Sequence, residues 1–349
     1  MENIFPLICV FLITFFSIFF GKPVAIKLGL VDVPCERKKH FGSIPLVGGI
    51  SIFIGVFLGM ALFTSYIPNM NLYLIAAAFI VLIGVLDDFY DLPVKPRIAA
   101  QILVASIMIF GAELQLDNLG NAFGFGDVKL SGLGVFITII AVLGAINAFN
   151  MVDGIDGLVG MLSIVTFSAL AFLLNTTSSD WLLLPLFFIV STLSFLVFNL
   201  QWPSSRYKKV FMGDAGSMLI GFSVVWLLVV GSQSETQAFR PVTALWLVAV
   251  PLMDMAAIMV RRVRKGQSPF NPDRDHLHHI FLRAGFSSSQ TLIVISFISI
   301  LFTVLGIGLE TFSCPEWLSL LLFLLVFTVY SYAINHIWRL LKLFRKLVK

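Results

Sequence analysis

The sequence has 349 residues, of which 58% are hydrophobic and only 12% are charged, and its mean hydropathy is +0.98. This composition excludes an ordinary water-soluble globular domain. Repeated apolar runs of bilayer-spanning length indicate a polytopic integral membrane protein instead.

Eleven apolar segments predict about eleven transmembrane helices in a single domain over residues 1–349. Backbone polar groups in lipid must be bonded within the segment, and these runs are too long for barrel strands, so we expect an all-α fold. The predicted spans lie near residues 4–21, 45–66, 72–86, 98–112, 133–149, 157–175, 181–199, 217–230, 241–260, 291–309 and 317–338. An odd number of spans places the two termini on opposite faces.

The positions of lysine and arginine predict the orientation. If the N-terminus is periplasmic and the C-terminus cytoplasmic, every lysine and arginine except Lys129 and Arg240 falls on the cytoplasmic side. The positive-inside rule requires this distribution. The formal net charge of +4 then belongs to the cytoplasmic surface, where it suits anionic lipids or phosphorylated substrates and requires no nucleic acid.

Four predicted cytoplasmic loops carry aspartates close to a helix end. The first, VLDDFYDLPVKPR, places Asp87 and Asp88 after the third span. Neighbouring residues are about 100° apart around a helix, so the two carboxylates point in different directions. One would bind a cation while the other orients it or accepts a proton. The alternative is that both only cap or solvate the helix end.

The next two loops combine acids with amides and glycines. In NAFNMVDGIDG, Asn150 and Asp153 are three residues apart, on one helix face, and Asp156 follows. The alternative is a polar turn in which Asp156 is an N-cap. In VFMGDAGS, Asp214 stands between two glycines at the start of the eighth span. That arrangement suits phosphate and a hard metal ion, although aspartate is also a common N-cap residue.

The fourth loop, PDRDHLHHI, holds His276, His278 and His279, three of the five histidines of the chain. A zinc site is one interpretation, but no cysteine contributes and the spacing is not that of a well-known zinc helix. Phosphate recognition by histidine and arginine is the other. Acidic loops for Mg²⁺, basic loops for phosphate and many spans together predict phosphoryl transfer at the membrane surface.

A set of motifs supports this prediction: GLVDVPCERKKHFGSIPLVGG, DDFYDL, NAFNMVDGIDG, RYKKVFMGDAGS, PLMDM and KGQSPFNPDRDHLHH. In these motifs and their order, over nearly the whole chain, the sequence resembles the polyprenyl-phosphate N-acetylhexosamine-1-phosphate transferases, a family with eleven spans. The resemblance implies transfer of a sugar 1-phosphate from a UDP-sugar to a polyprenyl phosphate, with release of UMP. It also implies Mg²⁺ or Mn²⁺ as cofactor, an active site built from cytoplasmic loops, the bacterial inner membrane as location, and a possible homodimer.

Two departures within the family bear on the sugar. Leu277 interrupts the histidine run, where the members that act on a muramyl pentapeptide have three consecutive histidines, and QWPSSRYKK is longer than their equivalent. Both features favour GlcNAc 1-phosphate transfer from UDP-GlcNAc to undecaprenyl phosphate, the first membrane step of polysaccharides such as O-antigen or enterobacterial common antigen. Another UDP-HexNAc or another cell-wall polymer pathway is the alternative.

The resemblance also implies roles for single residues. The expected metal ligands are Asn150, Asp214 and Asp87. The expected catalytic residues are Asp87, Asp88, Asp153, Asp156 and His279. The expected substrate contacts are Lys39, His40, Arg97, Asn150, Asp156, Phe211, Arg274, His276, His278 and His279. Among these, Phe211 would stack on uracil and Asp156 would hydrogen-bond it.

Two other functional classes compete with this prediction. A divalent-cation transporter would carry carboxylates near the midplane on broken helices, whereas here the acids crowd one face and only Asp254 lies clearly within a predicted span. A lipid pyrophosphatase would share the need for metal and cations but not the uridine-site residues.

Overall fold

The computed structural model describes residues 4–33, 42–177, 179–268 and 276–336, whose regular elements are helices apart from one two-residue antiparallel ladder and two isolated bridges. The helices are α1 (Ile4–Leu28), α2 (Gly48–Phe63), α3 (Met70–Tyr90), α4 (Val94–Ser106, continued by a π-helical turn, Ile107–Gly111), α5 (Leu133–Val152), α6 (Leu158–Thr176), α7 (Leu183–Asn199, preceded by a 3₁₀ turn, Asp180–Leu182), α8 (Gly213–Gln233), α9 (Pro241–Leu247), α10 (Ala249–Arg264), α11 (Leu277–Ala284), α12 (Ser288–Thr311) and α13 (Glu316–Asn335). Strands β1 (Val31–Asp32) and β2 (Ile44–Pro45) pair with Val31 opposite Pro45.

The described helices confirm an all-α, multi-pass membrane protein. Nine of the described helices are long and apolar enough to cross a bilayer: α1, α3, α4, α5, α6, α7, α8, α12 and α13. In this count α4 includes its π-helical turn and α7 includes its 3₁₀ turn. Helices α9 and α10 count as a tenth if their bent pair is one span, and α2, with 16 residues, is shorter. All eleven predicted segments contain a helix, while the count of eleven spans and the orientation stay predictions.

The prediction of one continuous helix over 241–260 is wrong, because α9 and α10 meet at an angle of 83°. The break falls at Val248, whose φ of −114° and ψ of 19° are not helical. Pro251 explains it: this residue has no N–H to donate to the carbonyl oxygen of Leu247, four residues earlier. The Leu247 carbonyl instead accepts a hydrogen bond from the Thr166 hydroxyl at 3.0 Å.

Three predicted loops are also shorter than expected, because helices extend into them. Asp87 and Asp88 lie in the last turn of α3, not after it, and Asp214 lies in the first turn of α8. From Leu277 onwards the predicted histidine loop is helix α11, and His276 is its N-cap residue. The acids therefore sit on rigid helix ends, where their positions are fixed by helix packing.

Helix α8 is the centre of the bundle, since every residue from Ala215 to Ser232 is buried. Its first turns touch two neighbouring backbones at glycines. A Cβ added to Gly49 of α2 would lie 2.1 Å from the Gly216 nitrogen, and one added to Gly84 of α3 would lie 2.3 Å from the Ala215 Cα. Small residues allow such approaches between helices in lipid. They bring the ends of α2 and α3 directly against the start of α8.

Replacing Gly84 by alanine tests this packing. We expect Gly84→Ala to destabilise the protein by about 1–3 kcal/mol, because the new methyl group meets backbone atoms that cannot rotate away. The measurement is thermal unfolding in detergent. The matched control is Gly308→Ala on α12, where an added Cβ has no atom within 4 Å. Equal stability of the two variants would contradict the close packing of α3 on α8.

Candidate active site

Asp214 is the residue at which the ends of α3, α5 and α8 meet. Asn150, in the last turn of α5, donates from Nδ2 to Asp214 Oδ1 at 2.6 Å and to the Ser217 hydroxyl at 3.0 Å. This contact confirms that the two loops predicted to share a site come together. Asn147, one turn earlier, instead donates to the Gln101 side chain on α4 at 2.8 Å, which makes it a packing residue.

Asp88 joins the end of α3 to the start of α8. Its Oδ1 accepts the Asp214 N–H at 2.8 Å, and its Oδ2 accepts the Ala215 N–H at 3.4 Å. The carboxylate thus caps the N-terminus of α8 from a neighbouring helix, where a negative charge is favourable. Asp88 was predicted to be catalytic; both of its oxygens face the helix terminus, so a direct part in the chemistry would require this cap to open.

Asp87 is buried and paired with Arg97. Its Oδ2 lies 3.1 Å from Arg97 Nη1, and its Oδ1 accepts the Leu92 N–H at 2.8 Å. The Asp87 side chain is 1% exposed and that of Arg97 is 25% exposed. Asp87 also lies close enough to Asp214 for their charges to interact. The buried acid therefore holds the partly exposed guanidinium of Arg97 beside the acidic cluster.

Asp153 lies in the turn between α5 and α6. It is exposed to solvent, and its side chain makes no hydrogen bond or ion pair within the described residues. Nearby protein atoms nevertheless replace part of the water around its carboxyl group. Desolvation, followed by the negative charges of Asp214 and Asp156, raises the pKa of the Asp153 carboxyl to about 7. Such a carboxyl has a strong preference for a nearby cation.

Asp156, Lys209 and Phe211 form the second part of the site. Lys209 Nζ lies 2.5 Å from Asp156 Oδ2 and 5.3 Å from the centre of the Phe211 ring. The Phe211 N–H donates to the Pro45 carbonyl at 2.9 Å, and the Phe211 carbonyl accepts the Gly48 N–H at 3.0 Å. An aromatic ring beside a partly exposed acid and amine is an arrangement that can stack on and hydrogen-bond a nucleobase.

Asn199, which the sequence analysis did not select, fixes this second part. It is buried at the end of α7, where its Oδ1 accepts the Gly157 N–H at 2.7 Å and its Nδ2 donates to the Val210 carbonyl at 2.9 Å. It therefore ties the Asp156 turn to the Phe211 segment. The available signal was a single amide at the end of a largely apolar helix.

His276 is placed differently from the prediction that it contacts substrate. It is buried, and its Nδ1 lies 2.8 Å from Asp254 Oδ2 on α10. The His276 ring is thus bound to a carboxylate of α10, and direct contact with a substrate would require His276 and Asp254 to separate.

His278 and His279 lie next to the Asp153–Asp156 turn. His278 is buried, and a Cβ added to Gly154 would lie 2.0 Å from His278 Nε2, so the ring rests on the Gly154 backbone. Burial, followed by the nearby charges of His279 and His276, lowers the pKa of His278 to about 3, which keeps the ring neutral. His279 is half-buried, with its ring 4.2 Å from that of His278. His279 is therefore the more accessible of the two histidines.

The donors in this cluster fit Mg²⁺ or Mn²⁺ held by few protein ligands. Within the described residues no three His, Cys, Asp or Glu side chains form a ready-made metal cage. Mg²⁺, however, usually binds one or two carboxylates and completes its shell with water and substrate phosphate. Asp214 and the Asn150 Oδ1, which has no hydrogen bond within the described part of the chain, supply hard oxygen donors. Asp87, the third expected ligand, is already paired with Arg97.

Three predicted substrate contacts, Lys39, His40 and Arg274, lie outside the described residues. The other predicted site residues divide by position. Asp87, Asp88, Arg97, Asn150 and Asp214 form the acidic cluster, and Asp156 and Phe211 form the neighbouring pocket with Lys209. Asp153, His278 and His279 lie at the turn between the two groups, whereas His276 is turned away from it towards Asp254.

Known proteins of similar sequence belong to the family that the motifs indicated. Residues 70–232 match the family described as "Glycosyl transferase family 4". The undecaprenyl-phosphate alpha-N-acetylglucosaminyl 1-phosphate transferase of Salmonella typhi is 47% identical over 345 residues, which cover 97% of this chain and 93% of that protein. Proteins of the same name from Escherichia coli K12 (46% identity; 97% and 93% coverage) and Pasteurella multocida (44%; 98% and 96%) are also similar. The chain therefore belongs to glycosyl transferase family 4, among the undecaprenyl-phosphate alpha-N-acetylglucosaminyl 1-phosphate transferases.

Proposed function

We propose that this protein transfers GlcNAc 1-phosphate from UDP-GlcNAc to undecaprenyl phosphate at the bacterial inner membrane, with undecaprenyl-diphospho-GlcNAc and UMP as products. The observation that carries the proposal is the meeting of Asp214, Asn150 and Asp87 beside the Asp156–Lys209–Phe211 pocket. The relatives named above, similar over nearly their whole length, support it. The product would enter synthesis of a polysaccharide of the O-antigen or enterobacterial-common-antigen type.

The proposed reaction exchanges one phosphoanhydride for another. An oxygen of undecaprenyl phosphate attacks the phosphorus that carries the sugar, and a new P–O–P bond forms. The bond from that phosphorus to the bridging oxygen breaks, and the bridging oxygen leaves with UMP. Because the bond made and the bond broken are alike, catalysis depends on holding two anionic groups in line rather than on a large driving force.

Different residues of the site are assigned to the lipid phosphate and to the uracil base. Arg97 offers a guanidinium whose position Asp87 fixes, and we assign it to the phosphate of the lipid acceptor. Phe211 and Asp156 are assigned to uracil, with Lys209 between them. The Asp87 carboxylate is assigned to positioning, since both of its oxygens are engaged and a phosphate monoester needs little deprotonation near neutral pH.

We assign Asp214 and Asn150 to Mg²⁺ or Mn²⁺. When bound, the ion supplies positive charge that neutralises the pyrophosphate oxygens and so allows an anionic acceptor to approach. Asp88 holds the first turn of α8, and with it Asp214, in place.

The direct experiment supplies purified protein in nanodiscs with UDP-GlcNAc, undecaprenyl phosphate and Mg²⁺. The proposal expects a lipid-linked GlcNAc diphosphate, UMP, and exchange of labelled UMP into UDP-GlcNAc that requires the lipid. Release of free sugar phosphate would indicate a hydrolase, and divalent-ion uptake into vesicles without transfer would indicate a transporter. UDP-GalNAc in parallel tests the alternative sugar.

Removing the Asp214 carboxylate tests the cation assignment. We expect Asp214→Ala to lower kcat by at least about 100-fold, because the carboxylate that holds the cation against the pyrophosphate is lost. Transfer is measured over a range of Mg²⁺ concentrations. Glu235→Ala, at an exposed acid in the loop that follows the opposite end of α8, is the matched control and should behave as wild type. Near-normal turnover of Asp214→Ala would remove it from the metal site.

Removing the Phe211 ring tests the uridine assignment. We expect Phe211→Ala to raise the KM for UDP-GlcNAc by roughly 10-fold, the size of one lost base–aromatic stack, while the KM for undecaprenyl phosphate changes little. Steady-state kinetics with each substrate varied in turn measure both. Phe125→Ala, at a ring that is 97% exposed, is the control. An equal rise in the two KM values would refute stacking.

The raised pKa of Asp153 predicts a pH-dependent requirement for Mg²⁺. The carboxyl keeps its proton below about pH 7 and loses it as the pH rises through 7. A cation favours the ionised form, so the Mg²⁺ concentration for half-maximal activity should rise as the pH falls from 8 to 6, by less than about tenfold per pH unit because Asp153 is not itself an assigned ligand. Asp153→Asn should flatten this dependence. The same slope in wild type and variant would show that Asp153 does not sense the ion.

A further inference from the structure

A buried acid that the proposed reaction does not use lies within helix α10. Asp254 is 1% exposed and has Met253 and Met255 as buried neighbours in sequence. An ionisable residue in the apolar part of a membrane protein is costly unless it is fully paired, so its partners point to its role.

Asp254 makes three hydrogen bonds, and they connect three separate helices. Its Oδ2 lies 2.8 Å from Nδ1 of His276, the residue that precedes α11. Its Oδ1 accepts the Leu277 N–H at 3.0 Å and the Tyr330 hydroxyl of α13 at 2.9 Å. The carboxylate therefore binds α11 both through a side chain and through the first backbone N–H of the helix.

The contact with Leu277 caps α11 from outside. No side chain of α11 itself caps its first turn, and a carboxylate at a helix N-terminus is favourable. A partly open cavity of about 140 Å³ lies between Leu277, Phe281 and Tyr330. The polar contacts to Asp254 therefore contribute to holding the start of α11 on α10 and α13.

A continuous set of contacts leads from Asp254 to the acidic turn. The ring of His276 is nearly parallel to that of His278, with an angle of 6° and 5.7 Å between their centres. The His278 ring rests on Gly154, between Asp153 and Asp156, and packs against the ring of His279. A shift of the α11 N-terminus would therefore move both histidines relative to the turn.

We infer that Asp254 is a positioning residue for the sugar-nucleotide substrate: through His276 and Tyr330 it holds α11 so that His278 and His279 keep their place on the Asp153–Asp156 turn. The inference rests on the proposed function, because it assigns the α11 end of the site to the donor rather than to the lipid. Asp254 touches neither substrate and acts only through α11.

Asp254→Asn is the first test, since it keeps the shape and weakens the contact with His276. We expect kcat/KM for UDP-GlcNAc to fall by roughly 10-fold, the size typical of a lost supporting contact, with the KM for undecaprenyl phosphate within twofold of wild type. Tyr330→Phe, which removes only one hydroxyl, should change the same parameter in the same direction by a smaller factor. If Asp254→Asn folds poorly, Tyr330→Phe still tests the inference by itself.

A double-mutant cycle separates positioning from stability alone. If Asp254 acts through α11, the loss in Asp254→Asn combined with His279→Ala should be smaller than the sum of the two single losses, expressed as free energies. The matched control is Glu310→Gln, because Glu310 is also a hydrogen-bonded carboxylate, paired with Arg240 at 3.1 Å. It should lower thermal stability without changing the ratio of the two KM values.

The outcomes distinguish this inference from the proposed function. If the wild-type protein makes no lipid-linked GlcNAc diphosphate, the proposed function fails. If wild type is active and the donor kinetics of both variants are unchanged, the inference about Asp254 fails. Additive losses in the double mutant, or equal changes in the two KM values, would also overturn it and leave Asp254 with a role in stability only.

Discussion

The close packing of α8 against its neighbours is the constraint on which the site depends. Helix association in lipid has little hydrophobic driving force and relies on tight contact between small residues. Gly49 and Gly84 provide that contact at the first turns of α8, and Gly221 provides it further along, where an added Cβ would lie 2.6 Å from the Ala145 carbonyl of α5. Asp87 and Asp88 follow Gly84 by about one turn, and Asp214 immediately precedes Ala215, so the packing that joins these helices also joins their carboxylates.

This packing brings several negatively charged carboxylates close together, and only some of them have a compensating partner. Asp87 is compensated by Arg97, Asp156 by Lys209, and Asp88 by the N–H groups at the start of α8. Within the described residues, the Asp214 carboxylate accepts the Asn150 amide but lies beside the like charge of Asp87, and Asp153 has no side-chain partner. Carboxylates that lie close together without a compensating positive charge repel one another and favour a bound cation. The two acids that remain are therefore the natural place for a cation and its bound pyrophosphate.

The sequence was sufficient to predict the class of protein and several of the polar residues that meet in the candidate site, because both depend on local signals. Apolar runs predict spans, and short motifs such as NAFNMVDGIDG carry their polar residues within a few positions. The bend at Val248 was missed although Pro251 was visible, because proline is tolerated within a first helical turn and the sequence does not say where that turn begins. Three structural roles were not predicted: Asp88 caps α8, Asn199 joins two loop segments, and Asp254 holds α11. Each role depends on a hydrogen-bond partner that lies 11 to 127 residues away in the sequence. No local pattern encodes such pairings.

The central claim is that α3, α5 and α8 bring their polar ends to one cation site beside a nucleotide pocket. The most direct measurement is a crystal structure of the full chain with Mn²⁺ and UDP-GlcNAc, in which anomalous scattering locates the ion. The account predicts one strong anomalous peak in contact with Asp214 and Asn150, with the uracil ring against Phe211. A peak at the opposite end of the bundle, or a nucleotide bound away from Phe211, would contradict it.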